Sequence, residues 1–226
     1  MTDSLAEIIR NELMPREAGV REVSARRFTP VFAEGDPAET LYFLTSGLVK
    51  LYHRSPDGKE VIFHVVSAGE IFGEEVIEDD ARRGCSAEVL QDAVCLPIPR
   101  STFLEFADTH PGFWQAFSLA LIGRERGLCR KVEMLCLREV ESRILFYLRD
   151  LAGRLRTNGQ EADFEIPLTQ SELANLIGAT RETTSTTLNS LARNGQIKLG
   201  RRMIIVPALS DNESQEDAPI HTATSA

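Results

Sequence analysis

The sequence has no run of eighteen apolar residues, so it offers no ordinary membrane-spanning helix. It opens Met1-Thr-Asp-Ser-Leu-Ala-Glu7, with acids where a secretory leader carries a basic segment, and a cytoplasmic protein without a membrane partner is expected. Cysteine is scarce. Only Cys85, Cys95, Cys129 and Cys136 occur, none in a C-x-x-C pair, which argues for reduced thiols and against a secreted disulfide framework. Positive charge is short as well: the balance is -9 at pH 7, so a nucleic-acid surface would have to be a local exception. An ordered catalytic constellation is also missing. Cys85 with His64, or Glu74 beside Glu75 as metal ligands, come nearest, but paired carboxylates on a loop are ordinarily solvated. Neither an enzyme nor a metal site is expected.

The 226 residues, 42% of them hydrophobic, suffice for two modest domains with separate cores. Pro167 to Gly195 reads as two capped helices around a glycine turn. Thr169 stands at an N-cap position and Glu172 completes a Thr-x-x-Glu capping box. Leu173, Ala174, Leu176 and Ile177 supply an apolar side, Gly178 a turn, Thr180 a second cap and Gly195 a left-handed stop. On the second helix Thr184, Leu188 and Leu191 share one face, leaving Arg181, Glu182, Ser185, Thr186 and Asn189 on the other. A buried helical hairpin would show similar spacing. The four threonines, the serine and the asparagine between Thr183 and Asn189 are poor helix formers, so something other than stability selects them.

Short hydroxyl and amide side chains let a helix approach a phosphate backbone, Arg181 can present a bidentate fork to guanine, and Glu182 can accept from cytosine. Base contacts are therefore expected from Arg181, Glu182, Ser185, Thr186 and Asn189. The following Gln196 to Val206 reads as a β-hairpin turning at Gly200-Arg201. With Arg181, Arg193, Lys198, Arg201 and Arg202 against Glu182, this stretch is locally basic. Thr169, Ser171, Thr183, Arg201 and Arg202 are the expected phosphate contacts.

The N-terminal half is a series of strands and turns: Phe28 to Phe32, Glu34-Gly-Asp-Pro37, Leu41 to Leu44, Ser46-Gly47, Leu48 to His53, Ser55-Pro-Asp-Gly58 and Glu60 to Val66. A small antiparallel barrel or roll is expected. A helix from Phe113 to about Leu137 repeats Leu121, Leu128 and Leu135 at seven residues with Val132 between, as in a coiled-coil seam or an amphipathic helix lying on the roll. A hinge is expected near Leu137-Arg-Glu139. The tail from Ser210 to Ala226 has the composition of a disordered segment.

Glu34-Gly-Asp-Pro-Ala-Glu-Thr-Leu-Tyr-Phe-Leu-Thr-Ser-Gly-Leu-Val-Lys50, Asp57-Gly-Lys-Glu60 and Gly69-Glu-Ile-Phe-Gly-Glu74 look like a cyclic-nucleotide-binding β-roll. With the C-terminal motif, the chain resembles the CRP/FNR superfamily of bacterial transcription regulators over roughly residues 25 to 207. The resemblance implies an α+β fold: an effector-sensing β-roll over 1–112, a dimerisation helix over 113–137, a winged helix-turn-helix over 138–209 and a tail over 210–226. It also implies a homodimer, with Leu121, Leu128, Val132 and Leu135 at its seam, on near-palindromic double-stranded DNA. RNA polymerase would be a further partner if the protein activates. The family's Arg-Glu-x-x-x-Arg becomes Arg181-Glu182-Thr-Thr-Ser-Thr186, which implies an altered base preference at one position.

The same resemblance places an effector pocket at Gly73, Glu74, Arg83, Leu128 and Cys129. Gly73 would admit close backbone approach, Glu74 would bond a ribose hydroxyl, and Arg83 would grip the phosphate if the loop is one residue shorter; an ungapped alignment puts Gly84 there instead. Several features argue against cyclic AMP. Gly84 replaces the companion serine, Leu128 and Cys129 replace the Thr-Ser pair that faces the purine, and Glu74, Glu75, Glu78, Asp79 and Asp80 crowd carboxylates where an anion should sit. The absence of cysteine before Cys85 argues against an iron-sulfur cluster. His53 and His64 sit in strands, as solvent-facing or satisfied histidines do, which speaks against haem. Cys129 and Cys136 share a helix face and are either redox-active or packed as small apolar groups. The cofactor is thus left open between a small molecule and a redox event. A second reading makes the roll a regulatory module acting on a protein partner.

Overall fold

Two long strands organise the N-terminal part of the computed structural model, which describes residues 4–16, 20–155 and 163–207. β3 (Thr40–Arg54) and β6 (Ser86–Pro99) run antiparallel from the Thr40 and Pro99 pair to the Tyr52 and Ser86 pair. β1 (Val23–Ala25) and β2 (Pro30–Phe32) add to β6, while β4 (Glu60–Ser67) and β5 (Ile71–Phe72) add to β3. All of these pairings are antiparallel, as the strand and turn pattern predicts. One difference is instructive. Leu41–Leu44 and Leu48–His53, expected as separate strands, are one bent strand whose register shifts around Ser46. Gly47 has φ +86°, and a Cβ there would lie 2.3 Å from the Asp92 carbonyl oxygen. The glycine therefore marks a bulge at close backbone approach, where the sequence pattern alone suggests a turn.

Two apolar clusters fill this part. Inside the roll, Phe32, Leu44, Val49, Val66, Phe72 and Val89 pack together. At one end Leu41, Phe43, Leu96 and Ile98 meet Phe103 and Phe106 of α3 (Arg100–Thr109), and Phe113 and Phe117 of α4 (Phe113–Leu137). Each buried aromatic contributes roughly 2 to 3 kcal/mol. A short N-terminal helix, α1 (Leu5–Ile8), is closed by a Ser4 and Glu7 capping box; it continues through a π-helical Ile9–Leu13 into α2 (Met14–Arg16) and adds Ile9 and Leu13 to the same cluster.

The chain divides into two compact units, Met1–Val132 and Glu133–Ala226. In the second, α5 (Val140–Leu155), α6 (Gln170–Ile177) and α7 (Arg181–Arg193) bury Ile144, Leu148, Leu151, Leu173, Ile177, Leu188 and Leu191. A sheet ordered β7 (Phe164–Ile166), β9 (Met203–Val206) and β8 (Lys198–Gly200) completes that core with Ile166 and Ile204. β7 is an addition to the expected hairpin. The architecture is α+β. The tail beginning at Ser210 lies outside the described residues.

Candidate functional site

In the second unit, α6, a glycine turn and α7 follow the local chemistry of the sequence. Thr169 N donates to Glu172 Oε2 at 2.6 Å and Glu172 N donates to Thr169 Oγ1 at 3.1 Å, so both halves of the capping box form. Gly178 ends α6 at φ +64°, and a Cβ there would come within 2.8 Å of Leu135 Cδ2. Thr183 N then donates to Thr180 Oγ1 at 3.1 Å, starting α7. At its far end Gln196 N donates to Leu191 O at 3.0 Å and Gly195 N to Ala192 O at 3.1 Å, which is a Schellman closure with Gly195 at φ +76°.

Two threonines of α7 bond back to the helix: Thr184 Oγ1 donates to Thr180 O and Thr187 Oγ1 to Thr183 O, both at 2.9 Å. Thr184, Leu188 and Leu191 are buried. On the other side Arg181, Glu182, Thr183, Thr186 and Asn189 are exposed and Ser185 is half-buried. Ser171 is exposed on the first turn of α6, and Thr169 is partly covered because its oxygen serves the cap.

The hairpin turn lies one residue later than the sequence pattern suggests. Gly200 pairs with Met203, leaving Arg201 and Arg202 as the exposed tip, with Arg202 in the left-handed region at φ +62°. A Cβ at Gly200 would stand 2.6 Å from Met203 Cγ, so a larger residue there would require the methionine side chain to shift. Lys198 is neutralised by Asp163 at 2.8 Å. Among the described residues, no ion pair engages Arg181, Arg193, Arg201 or Arg202. The resulting surface is polar and basic.

The first unit holds a cavity of about 230 Å³, walled by Phe32, Leu51, Phe63, Leu128 and Cys85, with Gly73, Glu74, Glu75, His64, Gly84 and Arg124 completing it. Of the five residues expected there, Gly73, Glu74 and Leu128 line it. Arg83 does not. It is 3% exposed, with Nη1 donating to Gly73 O at 3.0 Å, Nη2 donating to Thr40 O, and its guanidinium lying 4.3 Å from the Phe32 ring centre. Cys129 also stays outside the lining, exposed and 3.6 Å from a Glu125 carboxylate oxygen. Glu74 is engaged by Arg124, which also donates to Ile71 O.

Two lining residues had no motif to reveal them. Arg124 precedes Leu128 by one helical turn, a weak signal at best, and Glu75 is hidden in the acidic run. Glu75 Oε1 accepts from Gly84 N at 3.1 Å, and Oε2 lies 3.4 Å from Arg83 Nη1.

Cys85 and Cys95 are buried thiols that resist ionisation. Burial, followed by the Glu75 and Glu74 carboxylates, pushes the Cys85 thiol up to about 12, and burial pushes Cys95 up to about 11. At neutral pH neither supplies thiolate. His53 Nδ1 sits 3.1 Å from Glu34, and His64 Nε2 3.7 Å from Glu70. Among the described residues, no cluster of His, Cys, Asp and Glu could hold a metal ion, and no helix is long and apolar enough to cross a membrane.

Comparison with known proteins is decisive for the family. Residues 22–110 match the cyclic nucleotide-binding domain and residues 142–210 the Crp-like helix-turn-helix domain. The chain is 32% identical over 184 residues to the CRP-like cAMP-activated global transcriptional regulator of Mycobacterium tuberculosis, covering 81% of each. The chain belongs to the CRP/FNR superfamily of transcription regulators. It is also 30% identical over 171 residues to the cyclic AMP receptor protein of Thermus thermophilus, covering 76% of each. The c-di-GMP responsive regulator CLP of Xanthomonas campestris shares the fold at a TM-score of 0.72 and 23% identity, over 90% of this chain and 100% of that one.

Within this family frame, α4 carries two kinds of leucine. Leu121 packs against the apolar cluster at the end of the roll, and Leu135 is half-buried beside Gly178. Leu128 and Val132 are exposed, together with Leu119 and Ile122. The seven-residue repeat thus mixes residues packed within the chain with residues presented outward. Arg143 has no sequence signature, yet it donates to Arg138 O at 2.9 Å, Leu135 O at 3.0 Å and Ile177 O at 3.2 Å. It ties the end of α4 to the end of α6.

Proposed function

We propose that the chain is a homodimeric, sequence-specific transcription regulator whose two α7 helices enter successive major grooves of a near-palindromic DNA site, about 34 Å apart. The observation that carries this reading is the exposed polar face of α7 beside an arginine-tipped hairpin, on a chain whose overall net charge is -9. Arg181, Glu182, Ser185, Thr186 and Asn189 contact bases. Thr169, Ser171, Thr183, Arg201 and Arg202 contact phosphates, Thr169 by donating its hydroxyl hydrogen while its oxygen keeps the cap. Exposed Leu128 and Val132, joined by Ile122, form the dimer seam on α4, with Leu121 and Leu135 supporting it from within each chain. Residues 1–112 sense, 113–137 dimerise and 138–209 bind DNA in the cytoplasm, with RNA polymerase as the partner of an activating complex.

The curated relatives from Mycobacterium and Thermus are named for cyclic AMP. Here Gly84, Leu128 and Cys129 and the crowded carboxylates favour a sensor that does not take it. Some other small molecule, or oxidation at exposed Cys129 and Cys136, shifts the protein between two states of different DNA affinity. Fluorescence anisotropy with duplex DNA tests the output: affinity falls steeply with salt, and sedimentation equilibrium returns a dimer mass. Salt-independent binding would favour a protein partner instead.

A further inference from the structure

The polar end of the sensor cavity contains its own anion. Glu75 lies on the turn after Gly73, and its carboxylate takes the backbone N–H of Gly84 at 3.1 Å on one oxygen. The other oxygen faces the Arg83 guanidinium at 3.4 Å. An amide N–H and an arginine converging on one spot are what a bound phosphate oxygen requires. Arg83 has little freedom to turn elsewhere, because its side chain is 2% exposed and two backbone carbonyls and the Phe32 ring hold it. The neighbouring carboxylate, Glu74, is neutralised separately by Arg124. Glu75 therefore does not serve that arginine and is not spread over the cavity. Of the remaining wall, Phe32, Leu51, Phe63 and Leu128 are apolar and His64 is polar.

We infer that Glu75 is a built-in counter-anion occupying the phosphate-binding donors of the roll, and that it is the residue that excludes phosphate-bearing effectors from this sensor. The inference rests on the reading of the roll as a sensor that does not take cyclic AMP, and adds the residue responsible. A cyclic phosphodiester entering the cavity would have to displace the carboxylate from Gly84 N and Arg83, or share those donors with a like charge. Either raises the free energy of binding.

Calorimetric titration of cyclic AMP, and separately of uncharged adenosine, into the full chain and its Glu75→Gln and Glu75→Ala variants tests this. Glu75→Gln keeps the shape and the acceptor for Gly84 N while removing the charge, so it remains informative if the alanine variant folds poorly. The wild type gives no saturable heat with cyclic AMP, and both variants gain affinity by about a hundredfold or more, while adenosine is unaffected. If no form binds cyclic AMP, the reading of the sensor survives and Glu75 is not the cause. If the wild type binds as tightly as the variants, both fail. An equal gain for adenosine overturns the inference as well, because the substitution would then have opened space without relieving charge.

Discussion

Arg202, a phosphate contact in the proposed function, sits in a backbone conformation that costs stability. Its left-handed backbone at the hairpin tip costs a residue with a side chain about 1 to 2 kcal/mol, yet an arginine, where a glycine would be strain-free, occupies it. Arg202→Gly should raise the melting temperature while weakening binding to every DNA sequence, and a variant that lost neither charge-dependent affinity nor strain would show the tip to be idle. Gly178 is the opposite case. Gly178→Ala combines a positive φ with a 2.8 Å approach to Leu135 Cδ2, and should destabilise the second unit by more than about 1 kcal/mol in urea denaturation. Gly195→Ala meets nothing within 4 Å and should cost about 1 kcal/mol through its backbone alone. The capping box, the Thr180 cap of α7 and its Schellman glycine were legible because their partners lie within a few residues. Arg83, Arg124 and Arg143 were not. Arg124 meets Glu74 across 50 residues, Arg83 reaches Thr40 across 43, and Arg143 reaches Ile177 across 34, and no local pattern encodes such pairings.

At the scale of elements, α4 carries the redox part of the account. Cys129 and Cys136 are both exposed, and their seven-residue separation amounts to about 10.5 Å of helix, too far for a disulfide within one chain. Mild oxidant should therefore produce a dimer on non-reducing gels that vanishes in the Cys129→Ser, Cys136→Ser double variant. Cys85 and Cys95 are buried with raised pKa values and should stay reduced. A covalent dimer persisting in the double variant would remove these cysteines from consideration as sensors. Periodicity located the helix but not its division of labour: Leu121 and Leu135 pack within the chain, Val132 is exposed, and Leu128 is exposed while also walling the cavity. Identical spacing cannot reveal which neighbour a leucine meets. The same limit joined two expected strands into β3, where glycine serves a bulge.

For the whole molecule, the buried amine of Lys131 makes stability depend on pH. It donates to Ile62 O, fastening α4 to β4 inside the first unit, and burial pulls its pKa from 10.5 down to about 8. Between those values the unfolded chain holds a proton that the folded chain has released, so this group makes stability rise with pH and contributes no slope below about 8. The difference amounts to about 3 kcal/mol. Cys85 and Cys95 act in the opposite sense above pH 9, so the effect is isolated by comparison with Lys131→Met. That variant should be the more stable at pH 7, by an advantage that shrinks as pH approaches 10.5; a constant difference would mean that Lys131 is not titrating in the folded chain. The order of roll, long helix and helix-turn-helix was readable because each part carries its own local pattern, whereas the lining of the cavity depends on contacts between distant segments. The account as a whole turns on α7 reading bases. Selection from random duplex DNA with the wild type and Arg181→Ala tests that directly. The wild type should return a near-palindrome, and Arg181→Ala the same motif with preference for one guanine in each half-site relaxed, at a cost of about 1 to 3 kcal/mol. An identical motif from both proteins, or no motif from either, would contradict it.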